Sequence, residues 1–211
     1  LVRCDFNVPL DENKNITDIL RKHNIELEIN IKNLESITSA HLNPTLDIAY
    51  GIMEELSSFL RFSVSDKKAV IRGAIFHDFG KVLIPDNVLN SKCHLDGNER
   101  KIVELHAQLG YELLKASKQF DKKTLNIIKN HHKFIDGTGY PVNDSETDIL
   151  TQIITAADIY TALREKRSYK ASITSDKALS IIKDLVESNK ISKIVYNALK
   201  KLIENKKAKQ V

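Results

Sequence analysis

Apolar residues recur every three or four positions through most of the chain, which is the spacing of an amphipathic helix. The clearest case is LNPTLDIAYGIMEELSSFL, residues 42–60, in which Asn43 is predicted to cap a helix and Pro44 suits its first turn. Its apolar stripe comprises Leu46, Ala49, Tyr50, Met53, Leu56 and Leu60. With only seven glycines and four prolines in 211 residues, turns are few, and long helices are favoured over a β fold.

Further helices are predicted along the rest of the sequence. One starts at Ser65 or Asp66 and runs through KKAVIRGAIFHD, and another opens with a capping box of Asp96 and Glu99 and continues to residue 116. The remaining predictions are a short turn at DNVLN, DKKTLNIIKNHH with Asp121 as its cap, the largely buried TDILTQIITAADIYTALREK, and two helices near 175–187 and 191–205. The stretch IELEINI, residues 25–31, fits either a strand or a connecting helix.

Composition narrows the function only slightly. The 32 basic and 28 acidic residues are intermixed, and the net charge of +4 is a weak sign of an anionic partner, with no nucleic-acid or membrane surface indicated. Cys4 and Cys93 lack the spacing of a zinc site or a disulfide framework. No apolar run reaches the length of a membrane span, and no signal peptide is evident, so a reducing cytoplasm is the expected location.

Histidines and carboxylates are placed as a metal site would need them. Neutral imidazole and carboxylate suit iron, manganese and zinc, and several helices of a bundle could direct them to one cavity. Asp158 sits in an apolar run, where burial without a partner would be costly. The alternative is that single histidines are ordinary surface or core residues, which we accept for His23 and His94. The candidate ligands are His41, His77, Asp78, His106, His131, His132 and Asp158.

Four segments resemble, in order and spacing, the motifs of HD-GYP domains, the bacterial metal-dependent phosphodiesterases of cyclic di-GMP within the HD phosphohydrolase superfamily. They are FHDFGKVLIPDNVL, ELHAQLG, HHKFIDGTGYP and AADIYTALREKRSYK. The resemblance implies an all-α HD-superfamily bundle with the metal site in its core. It divides the chain into an N-terminal sensor or linker segment, residues 1–40, an HD-GYP domain, residues 41–205, and a Lys-rich tail, residues 206–211.

The resemblance also implies the role of each site residue. One metal would be held by His41, His77, Asp78 and Asp158, and a second by His106, His131 and His132, with Asp78 bridging both. Two such ions, about 3.5–4 Å apart, can activate a water and stabilise phosphoryl oxygens. Lys81 would meet a substrate phosphate, and Asp78 and Lys81 are the expected catalytic residues. Tyr140, Arg167 and Lys170 would hold the nucleotide, and Gly137 and Gly139 allow the positive φ of a tight loop with Tyr140 at its tip.

Three positions differ from the family pattern. Ile37 stands where some members carry a metal-binding Glu, which predicts two metals, iron or manganese, rather than three. Lys133 follows the histidine pair in place of a Glu, and Thr161 replaces an Asp. The side chain of Lys133 could turn to solvent or meet a substrate phosphate, and we expect the outward orientation because lysine keeps its ammonium hydrated.

The implied activity is hydrolysis of cyclic di-GMP to pGpG, GMP or both. Two alternatives stay open: an HD phosphohydrolase of another cyclic dinucleotide or nucleotide, and a catalytically weak nucleotide-binding signalling module. A signalling protein at the GYP loop and a second copy of the chain are candidate partners. The opening LVRCDFNVPLDENKNITD resembles the start of phosphoglycerate kinase, but nothing later continues that enzyme, and no function is taken from it.

Overall fold

The computed structural model describes residues 42–89, 91, 96–142, 147–165 and 173–208. Within these ranges the chain is helical and has no β-strand. Its helices are α1 (Leu42–Leu56), α2 (Val64–Phe76), α3 (Asp86–Leu89), α4 (Gly97–Glu104), α5 (His106–Ala116), α6 (Lys122–Asn130), α7 (Ile149–Arg164), α8 (Ser175–Glu187) and α9 (Lys193–Ala208), with a 3-10 turn at Phe79–Leu83. The predicted all-α fold is confirmed, while the ambiguous stretch at 25–31 and the boundary at residue 40 lie outside the described residues.

Side-chain caps fix several helix starts where the sequence placed them. Asp96 and Glu99 form the predicted capping box of α4, and Asp121 accepts from two backbone N–H groups of α6. Two boundaries differ from the prediction. The capping box of α2 is formed by Ser63 with Asp66, so that helix starts earlier, and α1 already begins at Leu42, which places Asn43 inside it. The spacing of apolar residues does not show which residue caps a helix, so it cannot predict where a helix begins to within one residue.

The helix predicted from Asp96 to residue 116 is in fact two helices that meet at Leu105. The N–H of Leu105 bonds to the carbonyl of Ile102, three residues back, at 3.2 Å, which tightens the chain locally. The carbonyl of Val103 also accepts from the ring of His106 at 2.7 Å. The interruption makes His106 the first residue of α5, with its side chain buried.

Helix α7 is the centre of the bundle. Ten of its sixteen residues are buried, which confirms the predicted largely buried helix. It packs against α1, α2, α6, α8 and α9, and its Ile153 and Ile154 are fully buried in the core. Burying each such side chain contributes about 1.5–3 kcal/mol. Among the described helices, none combines the length and the apolar character needed to cross a bilayer.

In a second layer, the 3-10 turn packs against α5, and α5 packs against α6. The turn approaches α5 so closely that a Cβ added at Gly80 would lie 1.9 Å from the carbonyl oxygen of His106. A Cβ at Gly110 would lie 3.0 Å from the nitrogen of Gly80. Two glycines therefore allow the residues just after α2 to reach the start of α5.

Candidate metal centre

Side chains from three separate helix ends meet in the interior of the protein. They are Asp78, just after α2, His106 at the start of α5, and His131 and His132 at the end of α6. Each offers one ligand atom, and these atoms all lie within 4.8 Å of one another. Every one of these residues belongs to the ligand set predicted from the sequence.

The two oxygens of Asp78 face different histidines. Oδ1 lies 3.2 Å from Nε2 of His106 and 4.0 Å from Nε2 of His131. Oδ2 lies 3.5 Å from Nε2 of His77, which is in turn 3.7 Å from Oδ1 of Asp158 on α7. Asp78 thus joins two groups of ligand atoms, His106 with His131 on one side and His77 with Asp158 on the other.

Backbone carbonyls set the orientation of three imidazoles. Nδ1 of His77, His106 and His131 lies 2.9, 2.7 and 2.8 Å from the carbonyl oxygen three residues earlier in the chain. Because a carbonyl can only accept, the hydrogen of each neutral ring sits on Nδ1, and Nε2 carries the lone pair. Such a bond to the second ring nitrogen is typical of metal-ligating histidines.

These tautomers suit a metal ion. Nε2 of His106 and Nε2 of His131 are 3.2 Å apart, so two lone pairs face each other inside a buried space. Without a proton or cation between them the contact is repulsive, and the nearby Asp78 carboxylate adds negative charge. Imidazole nitrogens with a carboxylate are a common donor set for iron, manganese and zinc, so these residues fit the metals that the sequence predicted.

The protonation states also match ligands that are ready to bind. Burial raises the pKa of Asp78, but the charge of Lys81 and the imidazoles of His77 and His106 outweigh it and hold that pKa well below the usual range. Burial and the neighbouring imidazoles lower the pKa of His131 strongly, and they lower that of His132 to about 3. Around neutral pH the carboxylate of Asp78 is therefore charged, and the rings of His131 and His132 are neutral.

His77 differs from the histidine pair. Burial lowers its pKa, but the carboxylates of Asp78 and Asp158 together outweigh burial, and the net shift is upward. His77 thus lies at the more negative end of the site, between two carboxylates. A cation bound there would replace the proton that these carboxylates attract.

The other predicted site residues are described only in part. Lys81 lies beside the ligands, with Nζ 2.5 Å from Oδ2 of Asp78. His41, Arg167 and Lys170 lie outside the described residues, as does Ile37, so their predicted roles remain predictions.

Tyr140, which the sequence predicted at the tip of its loop, is instead folded inward. The residue is half-buried, and its ring packs on His132 with centroids 4.6 Å apart and on His106 at 6.0 Å. The predicted positive φ values are confirmed, at 82° for Gly137 and 90° for Gly139. A Cβ at Gly139 would lie 2.1 Å from the carbonyl oxygen of His132, so the glycine lets the loop fold back onto the ligand pair.

The expected outward orientation of Lys133 is wrong. Its exposed fraction is 4%, because the chain beyond the histidine pair turns back over it. The N–H of Lys133 bonds to the carbonyl of Asn130 at 2.8 Å, and its backbone forms an antiparallel bridge with Gly139. Lys133 is thus buried where its backbone pairs with the returning loop.

Three residues that position the site were not identified from the sequence. Thr155 of α7 donates its hydroxyl to the carbonyl of His131 at 2.7 Å, and Gly80 and Gly110 allow the close approach of the 3-10 turn to α5. A glycine inside HDFGK was a visible signal for close packing. Thr155 lies three residues before Asp158 and therefore on the same helix face, but no neighbouring residue in the sequence indicated that its partner is the carbonyl of His131.

The HD domain family model matches residues 30–192. The chain is 36% identical over 146 residues to the 3'3'-cGAMP-specific phosphodiesterase 3 of Vibrio cholerae, covering 68% of this chain and 31% of that protein. It is 32% identical over 148 residues to the cyclic di-GMP phosphodiesterase response regulator RpfG of Xanthomonas campestris, covering 69% and 38%. The chain therefore spans about a third of the length of these curated relatives.

The fold is also similar to a solved HDG"Y"P protein from Bdellovibrio bacteriovorus. The TM-score is 0.61 at 19% sequence identity, covering 92% of this chain and 59% of the other. The family model matches most of the chain, and the HD residues, His77 and Asp78, lie at the centre of the site. The chain belongs to the HD domain family and is of the HD-GYP type.

Proposed function

We propose that this chain binds two divalent metal ions and hydrolyses a phosphodiester bond of a cyclic dinucleotide. The observation that carries the proposal is the position of Asp78, whose two oxygens face two different groups of ligand atoms. A carboxylate so placed can bridge two cations, which is the arrangement of many phosphodiester-cleaving sites.

The ligands divide into two sets that share Asp78. His106, His131 and His132 would hold one ion, and His41, His77 and Asp158 would hold the other. Iron and manganese are the proposed metals, because both accept mixed imidazole and carboxylate ligands. When bound, the two ions would lower the pKa of a water and neutralise charge on phosphoryl oxygens.

The chain's own residues complete the site. Lys81 places a charged amine beside Asp78, where it can also neutralise a substrate phosphate. Tyr140 packs against the rings of His132 and His106, where it would limit the access of water to that side of the ligands. Arg167 and Lys170 are proposed to hold the nucleotide, as the resemblance implies.

The proposed substrate is cyclic di-GMP, with pGpG, GMP or both as products. A relative named as a cyclic di-GMP phosphodiesterase supports it. The second candidate is 3'3'-cGAMP, which two relatives at 36% and 31% identity carry in their names. Both substrates present the same phosphodiester to the metals and differ in one base.

A signalling protein at the GYP loop is the proposed macromolecular partner. Four consecutive loop residues, Asp136 to Gly139, are exposed, whereas Tyr140 is folded inward. The loop therefore offers backbone and small side chains to a partner, and its tyrosine to the site.

Turnover of both cyclic dinucleotides tests the proposal. The purified chain is incubated without oxygen with Fe²⁺ or Mn²⁺, and products are separated by chromatography. Hydrolysis that requires metal supports the proposal, and the ratio of the two rates identifies the preferred substrate. Protein that binds the nucleotides in the presence of metal without hydrolysing them would favour the signalling-module alternative.

A further inference from the structure

Three consecutive carbonyls at the end of α6 receive their hydrogen bonds from different places. The carbonyl of Asn130 accepts from the N–H of Lys133 at 2.8 Å, and that of His132 from the N–H of Tyr140 at 3.3 Å. Both donors belong to the loop that follows. The carbonyl of His131 instead accepts from the Thr155 hydroxyl of α7 at 2.7 Å. Of these three carbonyls, the middle one is therefore the one whose hydrogen bond comes from another helix.

Thr155 and His131 are both shielded from water. The exposed fraction of Thr155 is 3%, and His131 is fully buried. A buried carbonyl without a donor costs about 1–3 kcal/mol. Because the helical hydrogen bonds of α6 end here, no later N–H of that helix can take the place of the hydroxyl.

The bonded carbonyl belongs to the peptide that joins His131 to His132. That peptide is a planar unit, so fixing its oxygen fixes the direction in which both residues leave it. Thr155 also lies three positions before Asp158 and shares its face of α7. One helix face therefore carries the Asp158 ligand and the hydroxyl that holds the histidine pair.

We propose that Thr155 is a positioning residue that couples the two halves of the metal centre. The inference rests on the proposed metal site and adds to it a residue that binds no metal. Its hydroxyl holds the His131–His132 peptide at a set distance from Asp158, so that the two ligand sets meet at Asp78. Loss of the hydroxyl should weaken metal binding by the histidine pair while all ligands remain present.

An ordinary structural role makes a different prediction. Threonines within helices often bond to the carbonyl four residues earlier, and the Thr155 hydroxyl lies 3.1 Å from that of Thr151. If that contact were the important one, removing the hydroxyl would alter only the stability of α7. Metal affinity would then stay at its wild-type value.

The experiment compares Thr155→Val, Thr155→Ser and Thr161→Val. Valine keeps the shape and removes the hydroxyl, whereas serine keeps the hydroxyl. Thr161 is the matched control, because it lies three positions after Asp158 in α7, is 5% exposed, and its Oγ1 has no hydrogen-bond partner among the described residues. Mn²⁺ binding to the metal-free proteins is measured by calorimetry and by electron paramagnetic resonance, beside the thermal midpoint of unfolding.

We expect Thr155→Val to weaken one of two Mn²⁺ binding steps by about 10–100-fold, the usual effect of losing an outer-shell partner. Thr155→Ser and Thr161→Val should retain the wild-type affinity. If Thr155→Val does not fold, Thr155→Ala replaces it, since the smaller side chain leaves room for water at the carbonyl. If a folded variant without the hydroxyl binds both Mn²⁺ ions with wild-type affinity, the role of Thr155 is refuted and the proposed function stands. If the wild-type protein does not bind Mn²⁺, the proposed function itself is refuted.

Discussion

The Nε2 atoms of His106 and His131 face each other across 3.2 Å, and each ring donates its Nδ1–H to a backbone carbonyl. Two imidazole lone pairs are thus held at a distance where they repel unless a positive charge lies between or beside them. The backbone fixes this arrangement, because both carbonyls belong to helix ends that cannot turn away. The pair therefore favours a bound cation.

Metal ions should stabilise the folded protein. A ligand that binds only the native state at 100 times its Kd adds about 2.7 kcal/mol to the free energy of unfolding. We expect the thermal midpoint to rise on addition of Mn²⁺ to metal-free protein and to fall on addition of a chelator. The matched control is His131→Ala, whose midpoint should respond much less to either addition. Equal responses of the two proteins would contradict the assignment of His131 as a ligand.

Asp78→Asn should abolish turnover with little loss of folding. The amide keeps the shape but loses the charge that would attract two cations. The fall in kcat should therefore be larger than the loss of about 100-fold that is typical when a hydrogen-bond partner of a metal ligand is removed. Metal analysis and circular dichroism accompany the rate measurement. Asp66→Asn is the control, because Asp66 pairs with Lys123 at 2.6 Å on the surface. Near-normal hydrolysis by Asp78→Asn with both metals bound would refute the bridging role.

Gly110→Ala should reduce metal affinity even though alanine favours helix formation by about 1 kcal/mol over glycine. The added Cβ would lie 3.0 Å from the nitrogen and 3.4 Å from the Cα of Gly80, so the 3-10 turn must shift and carry Asp78 away from His106. Gly51→Ala is the matched helical control, since the three atoms nearest its Cβ belong to the side chain of Leu202, which can move. Calorimetric Mn²⁺ titration of both variants tests this. A wild-type affinity in Gly110→Ala would show that the turn adapts without moving the ligand.

Lys133→Glu should destabilise the protein because the side chain is buried. Reversing a buried charge leaves its surroundings unmatched, and such changes cost about 3–5 kcal/mol. Lys122→Glu, at the exposed start of α6, the helix that precedes Lys133, should change the free energy of unfolding by less than about 0.5 kcal/mol. Urea denaturation of both variants makes the comparison. Similar stabilities would mean that Lys133 reaches solvent in solution, as the sequence had suggested.

The parts of the fold that depend on neighbouring residues could be predicted from the sequence. The capping box of Asp96 and Glu99 and the burial of α7 follow from local spacing and composition, and both are confirmed. The convergence of Asp78 with His106 and the histidine pair was predicted from residue type and family resemblance. Local chemistry and motif order were sufficient there.

Features that depend on distant segments could not be predicted in this way. Lys133 is buried because a loop returns over it, and Tyr140 packs inward because glycines let that loop approach His132. Likewise, the partner of Thr155 is a carbonyl 24 positions away in the sequence. No period, cap or motif reports such contacts, since they form only when helices pack.

The most direct test of the binuclear site is anomalous scattering from crystals of the protein grown with Mn²⁺. We expect two metal peaks about 3.5–4 Å apart, with one oxygen of Asp78 directed at each. His106, His131 and His132 should surround one peak, and His77 and Asp158 should contact the other. A single peak, a third tightly held ion, or two ions without Asp78 between them would contradict the proposed binuclear site.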